Sequence, residues 1–189
     1  LEGVKVAREQ GMTRGWAAFL LAEGANRCTR LGRLGDAQRM IDEALAFGAT
    51  GLQGGFVNEI AARVAVMTGR YDAARSHVEE ALRLLRLAAG AMWIAPLHAR
   101  RVELAGLDGD IDAARRAVTD GQASGDNEYP FYARELYLSA LRVEGDEAAR
   151  ARAARDLEAE REAVRSGEAL AARMRELAAI AENPQPQVA

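Results

Sequence analysis

Leu31-Gly-Arg-Leu-Gly-Asp-Ala37 is the stretch that decides the fold, because the chain repeats it in related form three more times. The other copies are Met67-Thr-Gly-Arg-Tyr-Asp-Ala-Ala74, Leu107-Asp-Gly-Asp-Ile-Asp-Ala-Ala114 and Val143-Glu-Gly-Asp-Glu-Ala-Ala149. Each copy contains a glycine followed by a charged residue, and these glycines (Gly32, Gly69, Gly109 and Gly145) lie at steps of 37, 40 and 36 residues. A period of this size is typical of arrays of stacked helical repeats.

The composition favours helices and excludes several function classes. Aromatic residues make up 5% of the 189-residue chain and proline occupies only four positions, which leaves few strand formers. The net charge of −3 gives no general attraction to nucleic acid or to an anionic membrane. The single cysteine, Cys28, excludes an internal disulfide, and no apolar run approaches the roughly 18 residues of a membrane span. We therefore expect a cytoplasmic segment without membrane contact or direct nucleic acid contact.

The periodicity of apolar residues predicts an all-α fold, a right-handed α-solenoid of about nine to ten helices in antiparallel pairs. A first helix over residues 1–10 is ended by Gly11. Four helix pairs follow, in units of about 16–48, 56–87, 93–123 and 129–165. A capping helix over 168–181 completes a single repeat domain at 1–182, and 183–189 form a disordered tail. Because the chain starts at Leu1 inside helical sequence, we expect it to be a piece of a longer protein.

The spacing of small residues within the units is similar to that of tetratricopeptide repeats, in which paired helices approach closely. Alanine follows the turn glycine by five residues in three units, at Ala37, Ala74 and Ala114. Seven residues further on, the small residues are Ala44, Ala81 and Gly121. A larger side chain at such a crossing should overpack the interface, at a cost of roughly 1–3 kcal/mol. The fourth unit departs from this spacing, since its Ala149 is one residue early.

Two further patterns have competing interpretations. Large rings recur sixteen residues before the turn glycine, at Trp16, Trp93 and Tyr129, with Gln53 in the second unit. We interpret these rings as packing anchors, with a ligand cage as the alternative. The glycine-rich stretch Gly48-Ala-Thr-Gly-Leu-Gln-Gly-Gly55 predicts a loop between units. Phosphate binding is the alternative there, but no strand precedes the stretch and no Gly-Lys-Ser/Thr follows it.

No residue pattern indicates catalysis, and we expect no enzyme activity, metal or cofactor in this segment. Cys28 lies four residues before Gly32 and is interpreted as a packing residue, because no histidine is placed near it as a partner. His77 and His98 are isolated, without the clustering that a metal site needs. Acidic residues are predicted on solvated faces, often beside arginine at helical spacing.

The concave side of a solenoid, lined by the first helix of each unit, is its usual binding surface. Counting back from each turn glycine predicts that this groove is lined by Asn26, Glu59, Arg63, Glu103, Tyr132, Glu135 and Arg142. Their charges are mixed in sign, which argues against a simple carboxylate clamp for peptide C-termini. The alternative is that these side chains only solvate the groove.

Several stretches in roughly the first 120 residues resemble a known kind of helical-repeat region. They are Glu2-Gly-Val-Lys-Val-Ala-Arg-Glu-Gln-Gly-Met12, the run from Phe19-Leu-Leu to Leu31-Gly-Arg-Leu-Gly-Asp-Ala37, Arg63 with Gly69-Arg-Tyr-Asp-Ala-Ala74, Trp93-Ile-Ala-Pro-Leu97 and Glu103-Leu-Ala105. Together they resemble the C-terminal repeat region of large LuxR-type ATP-dependent transcriptional regulators, similar to the maltose-regulon activator class, especially those of actinobacteria. Members of that family carry an N-terminal NTPase module and a terminal helix-turn-helix. The resemblance implies that ATP and DNA binding belong to such flanking modules, because neither motif occurs in these 189 residues.

Three functions are therefore compatible with the sequence. The leading hypothesis is a sensor or scaffold domain of such a regulator, which binds a protein or peptide partner or a small effector. The second is a stand-alone helical-repeat scaffold, and the third is a non-catalytic repeat region that follows an NTPase or cyclase module. The full reading frame distinguishes among the three.

Overall fold

The computed structural model describes residues 2–87, 91–124 and 130–182, and all regular secondary structure in these ranges is helical. Its nine α-helices are α1 (Glu2–Glu9), α2 (Ala18–Arg30), α3 (Leu34–Ala46), α4 (Gly51–Met67), α5 (Tyr71–Leu87), α6 (Ile94–Asp108), α7 (Ile111–Gln122), α8 (Pro130–Ala154) and α9 (Leu157–Glu182). A π-helical turn over Thr13–Ala17 precedes α2, and a 3-10 turn over Ala91–Trp93 precedes α6. The all-α prediction is confirmed for the described residues, while the predicted tail at 183–189 lies outside them.

The chain forms two compact units, Leu1–Leu97 and His98–Ala189. In the first unit, α2 packs against both α3 and α4, and α4 packs against α5. In the second unit, α8 packs against both α7 and α9. The single repeat domain at 1–182 and its solenoid arrangement stay predictions.

Three glycine turns share one backbone geometry, which explains the repeated sequence motif. Gly32, Gly69 and Gly109 have φ angles of +70°, +73° and +73°. After each glycine, the next residue donates its N–H to the carbonyl four residues before the glycine, at N–O distances of 2.9, 2.8 and 3.0 Å. This is the Schellman motif, which closes the end of a helix and favours glycine because φ is positive. The glycine in the repeat is therefore a requirement of the turn.

The fourth turn lies ten residues after its predicted place, so the predicted turn at Gly145 is wrong. Helix α8 continues through Gly145 to Ala154. The turn is formed by Arg155, whose φ is +59°, and Asp156 then donates its N–H to the Ala151 carbonyl at 2.9 Å. A helix tolerates an internal glycine at a modest cost, and arginine can adopt the left-handed conformation at a cost of about 1–2 kcal/mol. Glycine therefore does not mark the fourth turn of this chain.

The predicted boundary between a helix at 147–165 and a capping helix at 168–181 is also wrong. Both segments contribute to long helices, and Gly167 lies inside α9. A Cβ added at Gly167 would lie 3.9 Å from the Cβ of Glu144 on α8, which is ordinary van der Waals contact. Gly167 therefore faces the neighbouring helix and does not end its own.

The glycine-rich stretch 48–55 is only partly a loop, because α4 begins at Gly51. A Cβ added at Gly54 would lie 2.4 Å from the Ala49 carbonyl oxygen, and one at Gly55 would lie 2.5 Å from Cδ2 of Leu85. No such separation is possible in a folded protein, so Gly54 and Gly55 permit a close approach to α5 and to the preceding backbone. The loop prediction for this part of the stretch is wrong.

The small residues predicted at helix crossings are buried. Ala37, Ala44, Ala74 and Ala81 are fully buried, and Ala114 is 2% exposed. At Gly121 on α7, an added Cβ would lie 2.6 Å from Cδ2 of Leu136 on α8. Small side chains at these positions therefore allow close packing, as predicted.

Three aromatic rings in the first unit form a ladder with a 37-residue repeat. The ring centroids of Phe19 and Phe56 are 4.9 Å apart, and those of Phe56 and Trp93 are 4.5 Å apart. Trp93 is thereby confirmed as a packing ring. Trp16 is 58% exposed and meets the Phe19 ring edge-on, with centroids 6.0 Å apart, so its prediction as a packing anchor is wrong. The equivalent Tyr129 lies outside the described residues.

Candidate functional site

Three of the predicted groove residues lie in the first unit, where they are largely inaccessible. Glu59 on α4 is 2% exposed and pairs with Arg63 one helical turn away, at 3.2 Å. The Arg63 side chain is 13% exposed. Asn26 on α2 is half-buried, and its Oδ1 is buried without a hydrogen bond to any described residue. These side chains therefore belong to the packed interior of this unit rather than to an open surface.

The second unit brings two other predicted residues together around a buried arginine. Arg100 on α6 is 7% exposed. Its Nη1 lies 3.1 Å from Oε2 of Glu103, and its Nη2 lies 3.3 Å from Oε2 of Glu135 on α8. The Ser139 hydroxyl donates to Oε1 of Glu103 at 2.8 Å. One guanidinium thus joins two carboxylates across α6 and α8, and the group carries a net charge of −1.

Helical spacing places two more predicted residues on the same face of α8. Tyr132, Glu135, Ser139 and Arg142 follow one another by three or four residues, the spacing of neighbours on one helical face. Tyr132 is half-buried and meets Phe131 edge-on, with ring centroids 5.5 Å apart. Arg142 is exposed. We call Glu103, Tyr132, Glu135 and Arg142 the α6–α8 face; it is the accessible part of the predicted groove.

Arg100 and Ser139 were not predicted from the sequence, although one signal for Arg100 was present. Asn26, Arg63 and Arg100 are polar residues at steps of 37 residues, the same step that separates the first two turn glycines. A polar residue that recurs within an apolar helix at the repeat length indicates a common structural position. Ser139 carries no comparable signal, because a lone serine within a helix is unremarkable.

A second polar cluster, also missed, joins α7, α8 and α9. Glu144 is 4% exposed and accepts hydrogen bonds from Nε and Nη2 of Arg115 at 2.8 and 2.9 Å. The Ser166 hydroxyl donates to Glu144 Oε1 at 2.7 Å. The hydrogen bonds to Glu144 raise the pKa of Arg115 above its ordinary value. This cluster was not predicted, because the turn predicted at Gly145 would leave the neighbouring Glu144 exposed to solvent.

Beside this cluster, α7, α8 and α9 line a solvent-open pocket of about 290 Å³. Its lining combines charged, hydroxyl, amide and apolar side chains: Arg115, Val118, Thr119, Gln122, Glu144, Glu162, Ser166, Ala169 and Leu170. Gln122 donates to the Tyr137 hydroxyl at 3.2 Å. The pocket therefore offers both polar and apolar contacts within one small volume.

The remaining candidate residues form no reactive group in the described part of the chain. Cys28 is 8% exposed and buried in the core of the first unit. His77 on α5 is partly buried, with Nδ1 2.9 Å from Oδ1 of Asn58, and burial lowers its pKa. His98 is 6% exposed. Among the described residues, no three His, Cys, Asp or Glu side chains are grouped to hold a metal ion.

No described helix is both long enough and apolar enough to cross a membrane. Comparison of the chain with protein-family models, with curated proteins and with solved structures gave no match.

Proposed function

We propose that this chain is a helical-repeat domain that binds a protein or peptide partner or a small effector, with the α6–α8 face as its contact surface. We further propose that it is the sensor or scaffold region of a LuxR-type transcriptional regulator. In that setting, ATP and DNA would be bound by separate modules of the regulator.

The repeat-length step between contacting helices is the observation that supports this proposal. In the first unit, Phe19 contacts Phe56, and Phe56 contacts Trp93, each 37 residues further along. In the second unit, Arg100 contacts Glu135 and Glu103 contacts Ser139, 35 and 36 residues further along. Contacts at one repeat length are those expected when equivalent helices of successive units stack, and stacked repeats function through extended binding surfaces.

The charge of the α6–α8 face supports its role as a contact surface. The side chains of Glu103 and Glu135 are 19% and 21% exposed, although both contact Arg100. They are therefore held in place and still reach solvent. Fixed charged groups beside an aromatic ring and an exposed arginine suit the recognition of a polar partner, because little conformational freedom is lost on binding.

The reading frame that encodes this chain tests the regulator proposal directly. We expect an NTPase module before this segment and a helix-turn-helix after it. A frame that contains neither would contradict the regulator proposal and leave a stand-alone scaffold. A frame with a cyclase module instead would support the third hypothesis.

Binding of the encoded NTPase module to this chain, measured by calorimetry, tests the contact surface. The double variant Tyr132→Ala/Arg142→Ala should weaken binding at least tenfold, since both side chains lie on the proposed face. The matched control is Arg30→Ala, which removes an exposed arginine of α2 that has no ion pair among the described residues. Equal binding by the wild type, the Tyr132→Ala/Arg142→Ala variant and Arg30→Ala would contradict the assignment of this surface.

A further inference from the structure

The pocket between α7 and α9 has a floor and two walls of different chemistry. Helices α7 and α9 both pack against α8. The floor is the buried carboxylate of Glu144 on α8, and the walls carry Arg115 on α7 and Glu162 on α9. All of these residues belong to the second unit, and none belongs to the α6–α8 face.

Arg115 is held in a fixed orientation and keeps one edge of its guanidinium available. Glu144 accepts from Nε and Nη2, which occupies one edge of the planar group. Nη1 makes no hydrogen bond to the described residues, and the side chain is 32% exposed. The edge formed by Nη1 and Nη2 matches the two oxygens of a carboxylate, and Glu144 has already restricted the rotation of the group. Arg115 is therefore prepared to bind a carboxylate.

Glu162 places a negative charge on the opposite wall of the same pocket. Its side chain is 47% exposed and forms an ion pair with Arg165, which is 73% exposed. An exposed pair one helical turn apart contributes little to stability and can exchange its cation for another. Glu162 is therefore available to an ammonium group that enters the pocket.

An apolar surface completes the lining. Val118 is half-buried, Leu170 is 8% exposed, and both line the pocket with Ala169. The volume of about 290 Å³ lies at the lower end of the roughly 300–1,000 Å³ range of small-molecule pockets. The pocket thus suits a ligand smaller than a typical drug, with one carboxylate, one cationic group and an apolar side chain.

We propose that this pocket binds a free α-amino acid with an apolar side chain. Its carboxylate accepts from the Nη1–Nη2 edge of Arg115, its ammonium group pairs with Glu162, and its side chain packs on Val118 and Leu170. The site is separate from the α6–α8 face, so it goes beyond the function proposed above and does not depend on it.

Titration of the chain with L-leucine, L-valine and L-phenylalanine, followed by calorimetry and amide chemical shifts, tests the site. We expect saturable binding of at least one of them, with shifts centred on α7 and α9. The ligand's analogues without the carboxylate or without the amine, such as 3-methylbutylamine and 4-methylpentanoic acid for leucine, should bind at least tenfold more weakly. Failure of all three amino acids to bind, or equal binding by the analogues, would overturn the proposal.

Variants locate the binding to this pocket. Arg115→Lys keeps the charge beside Glu144 but removes the second edge, and it should weaken binding at least tenfold. Glu162→Gln should also weaken binding at least tenfold. Because the Glu162 side chain is 47% exposed and, among the described residues, forms an ion pair only with the exposed Arg165, this variant keeps the test valid if Arg115→Lys fails to fold. The matched control is Arg116→Gln, an exposed neighbour on α7 outside the pocket lining, which should bind like the wild type. Unchanged binding by Glu162→Gln would overturn the proposal.

Discussion

The α4–α5 and α8–α9 hairpins are both antiparallel helix pairs, yet they differ in helix length, in the residue at the turn and in the groups that meet between the helices. Helices α4 and α5 have 17 residues each, turn at Gly69, and approach closely where Gly55 lies against Leu85 of α5. Helices α8 and α9 have 25 and 26 residues and turn at Arg155. In the longer pair, Glu144 and Ser166 meet between the helices.

The comparison shows that a repeated motif can mark equivalent turns only where glycine supplies the positive φ. In α4–α5 the glycine turn sets the helix length close to that of the other units. In α8–α9 the equivalent backbone position is occupied by Arg155, while Gly145, where the turn was predicted, is helical. Both hairpins bury a carboxylate, but Glu59 of α4 pairs with Arg63 of the same helix, whereas Glu144 of α8 takes its cation from Arg115 of α7. The longer hairpin is therefore stabilised by an ion pair that joins it to a third helix.

The largest loss of stability is expected from a variant that removes the cation beside the buried carboxylate of the longer hairpin. Arg115→Ala would leave Glu144, which is 4% exposed, without its cationic partner. Loss of one partner of a buried pair is strongly destabilising, and we expect a decrease of about 3 kcal/mol in the free energy of unfolding. Urea denaturation followed by circular dichroism measures it.

The shorter hairpin supplies the control for this variant. Arg83→Ala removes an exposed arginine of α5 that pairs with Glu80 at 2.7 Å. Its effect should be much smaller, because exposed ion pairs contribute little. Similar losses for the two arginine variants would contradict the distinction between the buried pair of the longer hairpin and the exposed pair of α5.

The second effect concerns the close approach of Gly54 in α4 to the backbone that precedes this helix. Gly54→Ala would place a Cβ 2.4 Å from the Ala49 carbonyl oxygen, which must then move. We expect a loss of about 2 kcal/mol by urea denaturation. Gly145→Ala in α8 is the matched change, because an added Cβ there meets nothing within 4 Å. It should increase stability by about 0.5–1 kcal/mol, and a loss would show that α8 does not continue through this position.

The third prediction concerns the stability changes caused by substitutions at the two turns, Gly69 and Arg155. Gly69→Ala would force alanine into a positive φ of +73° and should cost about 1 kcal/mol. Arg155→Gly should change stability in the opposite direction, by up to about 1 kcal/mol, because glycine relieves the left-handed strain at φ +59° but adds freedom to the unfolded chain. Chemical denaturation measures both changes in the free energy of unfolding. Destabilisation by Arg155→Gly would contradict the position of the fourth turn.

The smallest effect is a pH dependence confined to the shorter hairpin. Burial lowers the pKa of His77 below 6.5, Arg70 acts in the same direction, and Asp42 opposes them. The folded state therefore favours the neutral imidazole, so this stability is present above about pH 6.5 and is lost as the pH falls through the lowered pKa. Urea midpoints between pH 7.5 and 5 should fall less for His77→Gln than for the wild type. An identical slope in the two proteins would show that His77 does not contribute.

The sequence predicted the parts of the fold that depend on local chemistry. The three glycine turns follow from the need for positive φ. The helices that flank them agree with prediction to within one or two residues, except that α4 begins at Gly51, five residues before its predicted start. The pattern Asp110-Ile-Asp-Ala113 recurs as Asp156-Leu-Glu-Ala159, and in both copies the first aspartate accepts a backbone N–H three residues on. This helix-start signal indicated the fourth turn more reliably than glycine did.

The candidate sites depended on contacts that no local pattern encodes. Glu103 and Glu135 could be placed on a shared face, but Arg100, which joins them, was visible only as a polar residue at the repeat step. Glu144 could not be assigned to the interior before α8 was known to continue past Gly145. The pocket between α7 and α9 is lined by residues of three helices from Arg115 to Leu170, 55 positions apart, so no local pattern of the sequence indicates it.

The aromatic ladder has a consequence for spectroscopy. Trp16 and Trp93 are the only tryptophans of the chain, and both lie within Leu1–Leu97. Tryptophan emission therefore reports on the first unit, whereas the helical signal near 222 nm arises from both. Coincident denaturation curves from these two signals would identify one cooperative transition, and separated curves would assign the earlier or later step to a named half of the chain.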